Sequence, residues 1–394
     1  MGELFSAVIT GIGCVSPIGC ESAAALDALL RARSGIRPVD LFPTSSFRAR
    51  TAGQVPDDFN ARAARLAPDS SLWPRASKFI LLALAEALRE RPGFQPDVVV
   101  AGTTSGGMDF GERFFRSRRG NRPSQARALS RGYVPHQPAL DALGHFGISS
   151  PVRVVSNACA SGTNAVGCAA GLVRNGHARS ALAIGFDALS EFVFAGFDSL
   201  QASTDRICRP FDLNRDGLAL GEGAAAILIE RGEDAPGHLI LAALSGYGVA
   251  NDNFHLTKPD PSGRGPRLSM QRALADAGWE SQSVDYINAH GTGTPFNDAS
   301  EAAAIVAVCP EAPVSSTKGL TGHALGAAGA IEAVFCVLAI RAGFLPVNAN
   351  VVNPIAGIRL VTPNNNAPAP QRILSNSFGF GGSNATIALE KCTA

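Results

Sequence analysis

The hydrophobic pattern of the chain alternates between short apolar runs and segments with small or apolar residues at helical spacing. Residues 5–10 have the length and content of a core strand, and Val154 and Val155 read as the end of a buried strand. Residues 160–172 then carry small residues at helical spacing. Strands followed by helices recur along the chain, which predicts an α/β layered fold with much parallel sheet.

The chain also repeats itself. GEGAAAILIER (221–231) resembles GGSNATIALEK (381–391), with matching glycine, alanine, isoleucine and glutamate positions. VVSNACASG (154–162) matches VSSTKGLTG (314–322) at the same offset. Such self-similarity predicts a duplicated architecture in which equivalent loops of the two halves lie close together.

We place the halves at residues 1–234 and 235–394, with the extra length of the first half mostly within 20–150. Each half opens with a strand running into G-x-G. Neither opening completes a dinucleotide-binding fingerprint, and TGIGCVSPIG has a proline where the helix should begin. The junction between duplicated halves is a usual place for a functional site.

Composition restricts the classes of function. The chain is 46% hydrophobic and 17% charged, with a net charge of +1, which gives no global attraction to nucleic acid or an anionic membrane. Eight cysteines are widely spread without a CxxC pair, which indicates buried thiols of a reducing compartment.

The pattern MGELFS fits N-myristoylation only loosely, since residues 5–10 read as a strand. We find no apolar run long enough to span a bilayer, so the expectation is a cytoplasmic protein with no membrane insertion.

Cys159 is the first candidate for chemistry. It follows a predicted strand and precedes a predicted helix, so it lies near a helix N-terminus. Unpaired N–H groups and the partial positive charge there favour a thiolate over a thiol. We therefore expect Cys159 to be a reactive nucleophile rather than a core cysteine.

Three further segments carry chemistry at predicted strand ends. The turn equivalent to that of Cys159 carries Lys318, and His323 follows within the predicted next helix. His290 ends a strand before a Gly/Thr loop, and residues 374–385 form a strand and a Gly-rich loop. Neutral imidazoles can donate hydrogen bonds to a developing enolate, and backbone N–H groups can form an oxyanion hole.

These segments together resemble the β-ketoacyl-acyl-carrier-protein synthases, of the elongating Cys-His-His type, in the thiolase superfamily. The resemblance covers nearly the whole chain; its motifs are NACASGTNAVG, RPFDLNRDGLALGEGAA, YINAHGTGTPFND, VSSTKGLTGHALGAAGAIEA and LSNSFGFGGSNA. It implies two duplicated α/β halves in a layered α-β-α-β-α sandwich. It also implies a decarboxylative Claisen condensation between an acyl thioester on cysteine and malonyl-acyl carrier protein.

The resemblance assigns roles position by position. Cys159 would carry the acyl group, and His290 and His323 would bind the malonyl thioester and stabilise its enolate. Lys318 would support the site electrostatically with Glu332. The remaining implied roles belong to the oxyanion-hole N–H groups of Cys159 and Phe380, the gate formed by Phe380, and the pantetheine contacts of Thr292 and Thr294.

The substrate pocket and the partner surface also follow from the resemblance. Ser105 stands where many elongating enzymes carry a bulky aliphatic residue, and Tyr133 and Phe197 add aromatic character. The carrier protein is acidic, so basic residues are docking candidates: Arg75, Lys78, Arg113, Arg116 and Arg118. No bound metal or organic cofactor is implied, because the substrates arrive on the phosphopantetheine of the carrier.

Several alternatives remain open. A papain-like hydrolase would need a C-G-[SA]-C-[WY] motif, and a thiolase that uses coenzyme A would need a late second cysteine; neither stands in the sequence. The pathway is either type II fatty acid synthesis or a type II polyketide or aryl polyene pathway. The enzyme is accordingly either a homodimer or the active half of a heterodimer with a Cys-less, chain-length-factor homologue.

Overall fold

The computed structural model describes residues 6–119, 126–237, 240–363 and 368–392, with the side chains of 126–128 left aside. Residues 1–5, on which most of the lipidation pattern falls, lie outside the described residues. Within these ranges, the strands are β1 (Ala7–Val15), β2 (Ile36–Pro38), β3 (Thr51–Gly53), β4 (Val98–Gly102), β5 (Val152–Val155), β6 (Ser180–Asp187), β7 (Gly223–Arg231), β8 (Ala242–Asn251), β9 (Tyr286–Asn288), β10 (Pro313–Ser315), β11 (Arg359–Leu360), β12 (Arg372–Gly379) and β13 (Ser383–Glu390).

The α-helices lie mostly between strands, as the alternating pattern predicts. They are α1 (Ser22–Leu30), α2 (Phe59–Leu66), α3 (Arg75–Glu90), α4 (Met108–Arg119), α5 (Ala126–Tyr133), α6 (Gln137–His145), α7 (Ser161–Arg174), α8 (Glu191–Ser199), α9 (Arg264–Ala277), α10 (Pro295–Val308), α11 (Lys318–Thr321) and α12 (Ala328–Ala342).

The strand order makes the duplication visible. From the centre outwards, the first half runs β1-β7-β6-β4-β5 and the second runs β8-β13-β12-β9-β10, with β11 added at its edge. In both halves the opening strand pairs antiparallel with the last one. The two halves meet where β1 pairs with β8, at Val8 with Ala243 and Ile9 with Ala242. The structure therefore has the duplicated α/β architecture that the sequence repeat predicts.

Helices α7 and α12 form the central layer. They pack against each other and against strands of both halves, while α3 covers the outer face of β1 and β7 and α9 covers that of β8 and β13. The outer contact of α3 is very close: a Cβ added at Gly13 would lie 1.9 Å from the carbonyl oxygen of Ala83. Helix, sheet, helix pair, sheet and helix thus form the expected five-layered sandwich.

The apolar stretch Leu325–Ala342 corrects one prediction. By length and composition, this one stretch of the described residues is long and apolar enough to cross a membrane. The prediction that no apolar run is long enough to span a bilayer is therefore wrong. However, 89% of the stretch is buried inside the protein, because α12 is in contact with strands on both sides. The stretch is as apolar as a membrane span because it occupies the middle of the core.

The edge strand β5 corrects a second prediction. The strand exists where the sequence predicts it, but its residues are only half-buried or exposed, and Val154 is 39% exposed. β5 is the edge strand of the sheet and pairs with β4, so its other edge is unpaired among the described residues. All eight cysteines are free and six of them are buried, as the sequence predicts for most of them.

Candidate active site

A tight turn between β5 and α7 presents Cys159. Ala158 has a φ of 49°, a left-handed conformation that costs a residue with a side chain free energy. The Ser161 hydroxyl holds the turn, accepting from the Asn157 N–H at 2.8 Å and donating to the Ala158 carbonyl at 2.6 Å. The turn is followed directly by α7, so Cys159 lies two residues before the first helical residue.

The Gly-rich loop after β12 packs onto this turn. A Cβ added at Gly379 would lie 3.1 Å from the Cys159 backbone nitrogen, so a larger residue there would press on the cysteine turn. The next residue, Phe380, directs its backbone N–H at the Cys159 sulfur. The N–H groups of Cys159 and Phe380 therefore lie beside the same sulfur, where they could donate to an oxyanion formed on a carbon bonded to it.

His290 follows β9, and a buried glutamate fixes its backbone. Glu301, on α10, accepts hydrogen bonds from the N–H groups of His290 at 2.8 Å and Gly291 at 2.7 Å, and from the Asn376 amide at 3.3 Å. Burial raises the pKa of Glu301 to about 7, although these donors oppose the rise. Sequence analysis missed Glu301; its position in the second turn of the helix after the HGTGT loop was the available signal.

His323 lies between α11 and α12 rather than within a helix. Gly322 ends α11 with a φ of 68°, and the His323 N–H donates to the Ala219 carbonyl at 2.7 Å. The Gly221 N–H in turn donates to the His323 carbonyl at 2.8 Å. The prediction that His323 belongs to the next helix is therefore wrong, because its backbone pairs with the segment before β7.

Cys159, His290 and His323 come together from three separate loops. One ligand atom of each, the sulfur and one nitrogen of each ring, lies within 4.8 Å of the others. The two imidazole rings are nearly perpendicular, with centroids 5.1 Å apart. Their buried nitrogens include three without a hydrogen-bond partner: Nδ1 of His290 and both nitrogens of His323. Buried polar atoms without partners in a cavity point to a ligand that supplies them.

Burial and a nearby charge keep both histidines neutral. Desolvation lowers the pKa of His290 well below its usual value, and the charges of Lys318 and His323 lower it further. Desolvation and Lys318 lower the pKa of His323 in the same way. At neutral pH each ring therefore has one N–H to donate and one free lone pair.

Lys318 supplies this charge from outside the lining of the cavity that the histidines face. It is the first residue of α11, 1% exposed, and its ammonium group donates to Glu332 of α12 at 2.5 Å. Burial raises the pKa of Glu332, while Lys318 lowers it. Because both partners are buried, removing either one would leave an unpaired charge in the core.

The protonation state of Cys159 differs from the prediction. Burial raises the pKa of its thiol to about 11, which outweighs the lowering by Lys318 and by the Phe380 N–H. Cys159 is therefore a thiol at neutral pH, and the expectation of a resting thiolate is wrong. Position near a helix N-terminus did not decide the protonation state, because the sulfur is enclosed by protein.

This protonation state predicts the pH dependence of cysteine alkylation. The iodoacetamide reaction of Cys159, followed by peptide mass spectrometry, should accelerate about tenfold per pH unit between pH 7 and 10, because only the thiolate reacts. Lys318→Met should slow it at each pH, since Lys318 lowers the pKa of Cys159. A rate that levels off below pH 9 in the wild-type protein would show that the thiol is more acidic than its burial indicates.

A cavity of about 250 Å³ leads from these residues to the surface. Most of the residues proposed from sequence line it, namely Cys159, His290, Thr292, Thr294, His323, Phe197 and Phe380. The hydroxyls of Thr292 and Thr294 lie 2.9 Å apart. Phe197 and Phe380 stack with centroids 5.6 Å apart. Lys318 and Glu332 lie outside the lining and act on the cavity through charge.

Two predicted pocket residues are elsewhere. Ser105 is buried, and its hydroxyl donates to Asp187 at 2.7 Å instead of facing the cavity. Asp187 also accepts from the Gly326 N–H at 2.7 Å, so it ties the loop after β4 to the turn before α12. Tyr133 is 45% exposed, and its ring packs on Gly111, away from the described cavity lining. Sequence analysis did not identify Asp187, whose role depends on backbone N–H groups from distant loops.

The five basic candidates divide into two groups. Arg75 is largely buried, bonded to Glu222 and placed over the Phe59 ring at 4.4 Å, so it supports the fold and is not a surface group. Lys78 is half-buried and donates to the Asn60 side chain at 3.0 Å. The exposed candidates are on α4: Arg113, Arg118, and Arg116, which is paired with Glu191. The sequence around these arginines, 112–131, is rich in arginine, and its residues 120–125 lie outside the described residues.

The three cavity side chains also have metal-ligand chemistry, since cysteine and two histidines are donors that Zn²⁺ accepts. The buried ammonium of Lys318 opposes that use. It lowers the pKa of both histidines, and the same positive potential would repel a divalent cation. The arrangement is better suited to stabilising a developing negative charge.

Comparison with known proteins agrees with this geometry. The family described as "Beta-ketoacyl synthase, N-terminal domain" matches residues 6–235, and the one described as "Beta-ketoacyl synthase, C-terminal domain" matches residues 241–352. The chain is 36% identical to 3-oxoacyl-[acyl-carrier-protein] synthase 2 of Coxiella burnetii, over 98% of each chain.

Two solved structures are similar over nearly the whole chain. The ishigamide ketosynthase/chain length factor has a TM-score of 0.92 at 30% identity, covering 99% of this chain and 100% of that one. A type II polyketide synthase acyl-carrier protein in complex with its ketosynthase, bound to the hexaketide, gives a TM-score of 0.88 at 26% identity, with the same coverage. With both domain families matched in order and one relative aligned end to end, the chain belongs to the β-ketoacyl synthase family.

Proposed function

We propose that the protein elongates acyl chains in type II fatty acid synthesis by condensing an acyl thioester with malonyl-acyl carrier protein. The observation that carries this is the enclosed set of one cysteine and two neutral histidines beside two convergent N–H groups. It fits a reaction that needs a covalent acyl carrier, an enolate site and an oxyanion site together. The reaction needs no bound cofactor, since loss of CO₂ generates the carbon nucleophile.

The first step transfers the acyl group to Cys159. The sulfur attacks the thioester carbonyl while the N–H groups of Cys159 and Phe380 hold the developing oxyanion. The C–S bond to pantetheine breaks, and the thiol proton passes to the departing pantetheine sulfur. A neutral imidazole at less than 4.8 Å from the sulfur is placed to relay this proton. The low histidine pKa keeps the relay from holding it.

The second step uses the malonyl thioester. Its carbonyl accepts hydrogen bonds from His290 and His323, whose free nitrogens face the cavity. The bond to the carboxylate breaks and CO₂ leaves, and the electron pair moves into the enolate that these N–H groups stabilise. The enolate carbon then attacks the acyl carbonyl on Cys159. The thiolate leaves and takes one proton, so the cycle consumes one proton and releases CO₂ and free carrier thiol.

A polyketide ketosynthase is the second candidate function. The ishigamide ketosynthase/chain length factor superposes with a TM-score of 0.92. The stacked rings of Phe197 and Phe380 at the cavity also suit a planar, unsaturated acyl group. On this alternative the partner subunit is a Cys-less homologue. The open edge of β5 is a surface at which a second subunit, identical or homologous, could extend the sheet.

A panel of acyl-carrier substrates separates the two functions. The protein is mixed with malonyl-carrier protein and with carriers bearing saturated C2 to C16 or unsaturated and aryl acyl groups, and the β-ketoacyl products are measured by mass spectrometry. Elongation of saturated medium or long chains by the protein alone is expected. Products only from unsaturated or aryl chains, or only with an added Cys-less subunit, would replace the fatty acid assignment by the polyketide one.

We propose that the carrier protein docks on α4. Arg113 and Arg118 are exposed there, and carrier proteins of this family are acidic. Arg116 contributes less, because Glu191 already neutralises it. Eight free cysteines also fit the reducing environment of the cytoplasm, where such carriers work.

Charge reversal tests the docking surface. Arg113→Glu combined with Arg118→Glu should raise KM for malonyl-carrier protein about three- to tenfold at low salt, and added salt should reduce the difference. KM for malonyl-pantetheine should stay unchanged. Arg267→Glu, at an exposed arginine on α9 of the other half, is the control. An equal effect of both reversals, or none at α4, would place docking elsewhere.

A further inference from the structure

One cation lines the open end of the reaction cavity. Among the described lining residues, Lys258 has the one ammonium or guanidinium group. It is exposed, and its nitrogen lies 4.9 Å from the centroid of the Phe296 ring, which also lines the cavity and is 58% exposed. The cavity therefore runs from the buried Cys159 to a rim that carries a positive charge.

The backbone of Lys258 is fixed in place. The Nδ1 atom of His255 accepts the N–H groups of Thr257 at 3.1 Å and Lys258 at 3.2 Å. The carbonyl of Leu256 accepts the Gly381 N–H at 2.7 Å, next to the oxyanion-hole residue Phe380. The rim loop is thus bonded to the loop that holds the reacting end of the substrate.

No carboxylate of the described residues forms an ion pair with Lys258. Two carboxylates line the same cavity, and each already accepts hydrogen bonds from other residues. Asp216 accepts from the Thr204 hydroxyl at 2.6 Å, and Asp252 accepts from the Asn384 amide at 2.7 Å and from the Asp260 N–H at 3.0 Å. The ammonium group is therefore available to an anion that enters the cavity.

The burial of the polar groups in the cavity lining suits a pantetheine arm. The sulfur, the imidazoles and Thr292 are buried, and Thr294, whose hydroxyl lies 2.9 Å from that of Thr292, is half-buried. Lys258 lies at the exposed end. A phosphopantetheine thioester has its thioester at one end, amides between, and a negatively charged phosphate at the other.

We infer that Lys258 binds the phosphate of the phosphopantetheine arm and thereby selects phosphorylated over unphosphorylated pantetheine thioesters. This inference rests on the proposed function. The phosphate group is present in both carrier-bound and coenzyme A-bound pantetheine arms. Lys258 therefore recognises the arm and not the carrier protein. It is a specificity residue at the rim and takes no part in the bond-making steps.

Two small substrates isolate this contact from carrier docking. KM and kcat are measured with malonyl-phosphopantetheine and with malonyl-pantetheine, which lacks only the phosphate, at constant acyl donor. The wild-type protein should have the lower KM for the phosphorylated substrate, and Lys258→Ala should raise that KM about three- to tenfold. KM for malonyl-pantetheine and both kcat values should stay unchanged.

Two further variants test whether the preference for the phosphorylated substrate depends on a positive charge at position 258. Lys258→Arg should restore most of the preference, and Lys391→Ala, at an exposed lysine after β13, should leave it intact. Equal preferences in wild type and Lys258→Ala, or equal losses with both substrates, would overturn the inference. A wild-type protein that condenses neither substrate, nor malonyl-carrier protein, would instead overturn the proposed function.

Discussion

Replacing Cys159 with alanine is expected to lower the condensation rate by at least about 10³-fold, because the variant has no sulfur to carry the acyl group. The side chain lies at the buried end of the cavity, with the N–H groups of Phe380 and of Cys159 itself beside it. Acyl loading, measured by intact mass after mixing with acyl-carrier protein, should disappear. Malonyl binding should survive, since both histidines remain.

The control for this variant is Cys309→Ala. Cys309 is also buried, but it ends α10 in a separate part of the core, away from the cavity. It should retain acyl loading and condensation, with only a modest loss of stability from the removed sulfur. Thermal unfolding of both variants establishes that they are folded. Undiminished loading of a folded Cys159→Ala protein would contradict the assignment of the nucleophile.

Replacing His323 with alanine is expected to separate the two steps of the reaction. CO₂ release from malonyl-carrier protein should fall on the order of 10²–10⁴-fold, because one of the two enolate donors is lost. Loading of Cys159 should fall far less, since the oxyanion hole is made of backbone N–H groups of Cys159 and Phe380. His290→Ala should show the same separation, because in each variant the other imidazole remains near the sulfur to relay the thiol proton.

The histidine control is His145→Ala, at an exposed histidine that ends α6. It should change neither loading nor CO₂ release. Stopped-flow mixing with malonyl-carrier protein measures CO₂ release, and intact mass measures loading on the same samples. Equal losses of loading and decarboxylation in His323→Ala would show that this histidine serves the cysteine rather than the enolate.

The sequence was most informative where chemistry falls at strand ends. Cys159, His290 and the Gly-rich loop each follow a strand, and parallel strands bring such ends together at one edge of a layered fold. The internal duplication also identified Lys318 as a site residue, because the turn equivalent to that of Cys159 carries it. For these residues, position along the chain was enough to predict proximity.

Burial and partnership were less predictable. Arg75 begins an amphipathic helix and resembles a docking residue, but the fold buries it against Glu222, a distant residue of the chain. Asp187 and Glu301 act by accepting backbone N–H groups, which leave no pattern in the sequence. The enclosure of Cys159 likewise depends on the whole fold, so local position predicted a thiolate where burial favours the thiol.

The most direct test of the central claim is a two-stage intact-mass measurement on the wild-type protein. Acyl-carrier protein is added first, the carrier is removed, and malonyl-carrier protein is then added. The peptide that contains Cys159 should gain the mass of the acyl group, and this increment should disappear as β-ketoacyl-carrier protein forms. Product formation without any acyl-enzyme, or an acyl group on another residue that is passed to product, would contradict it.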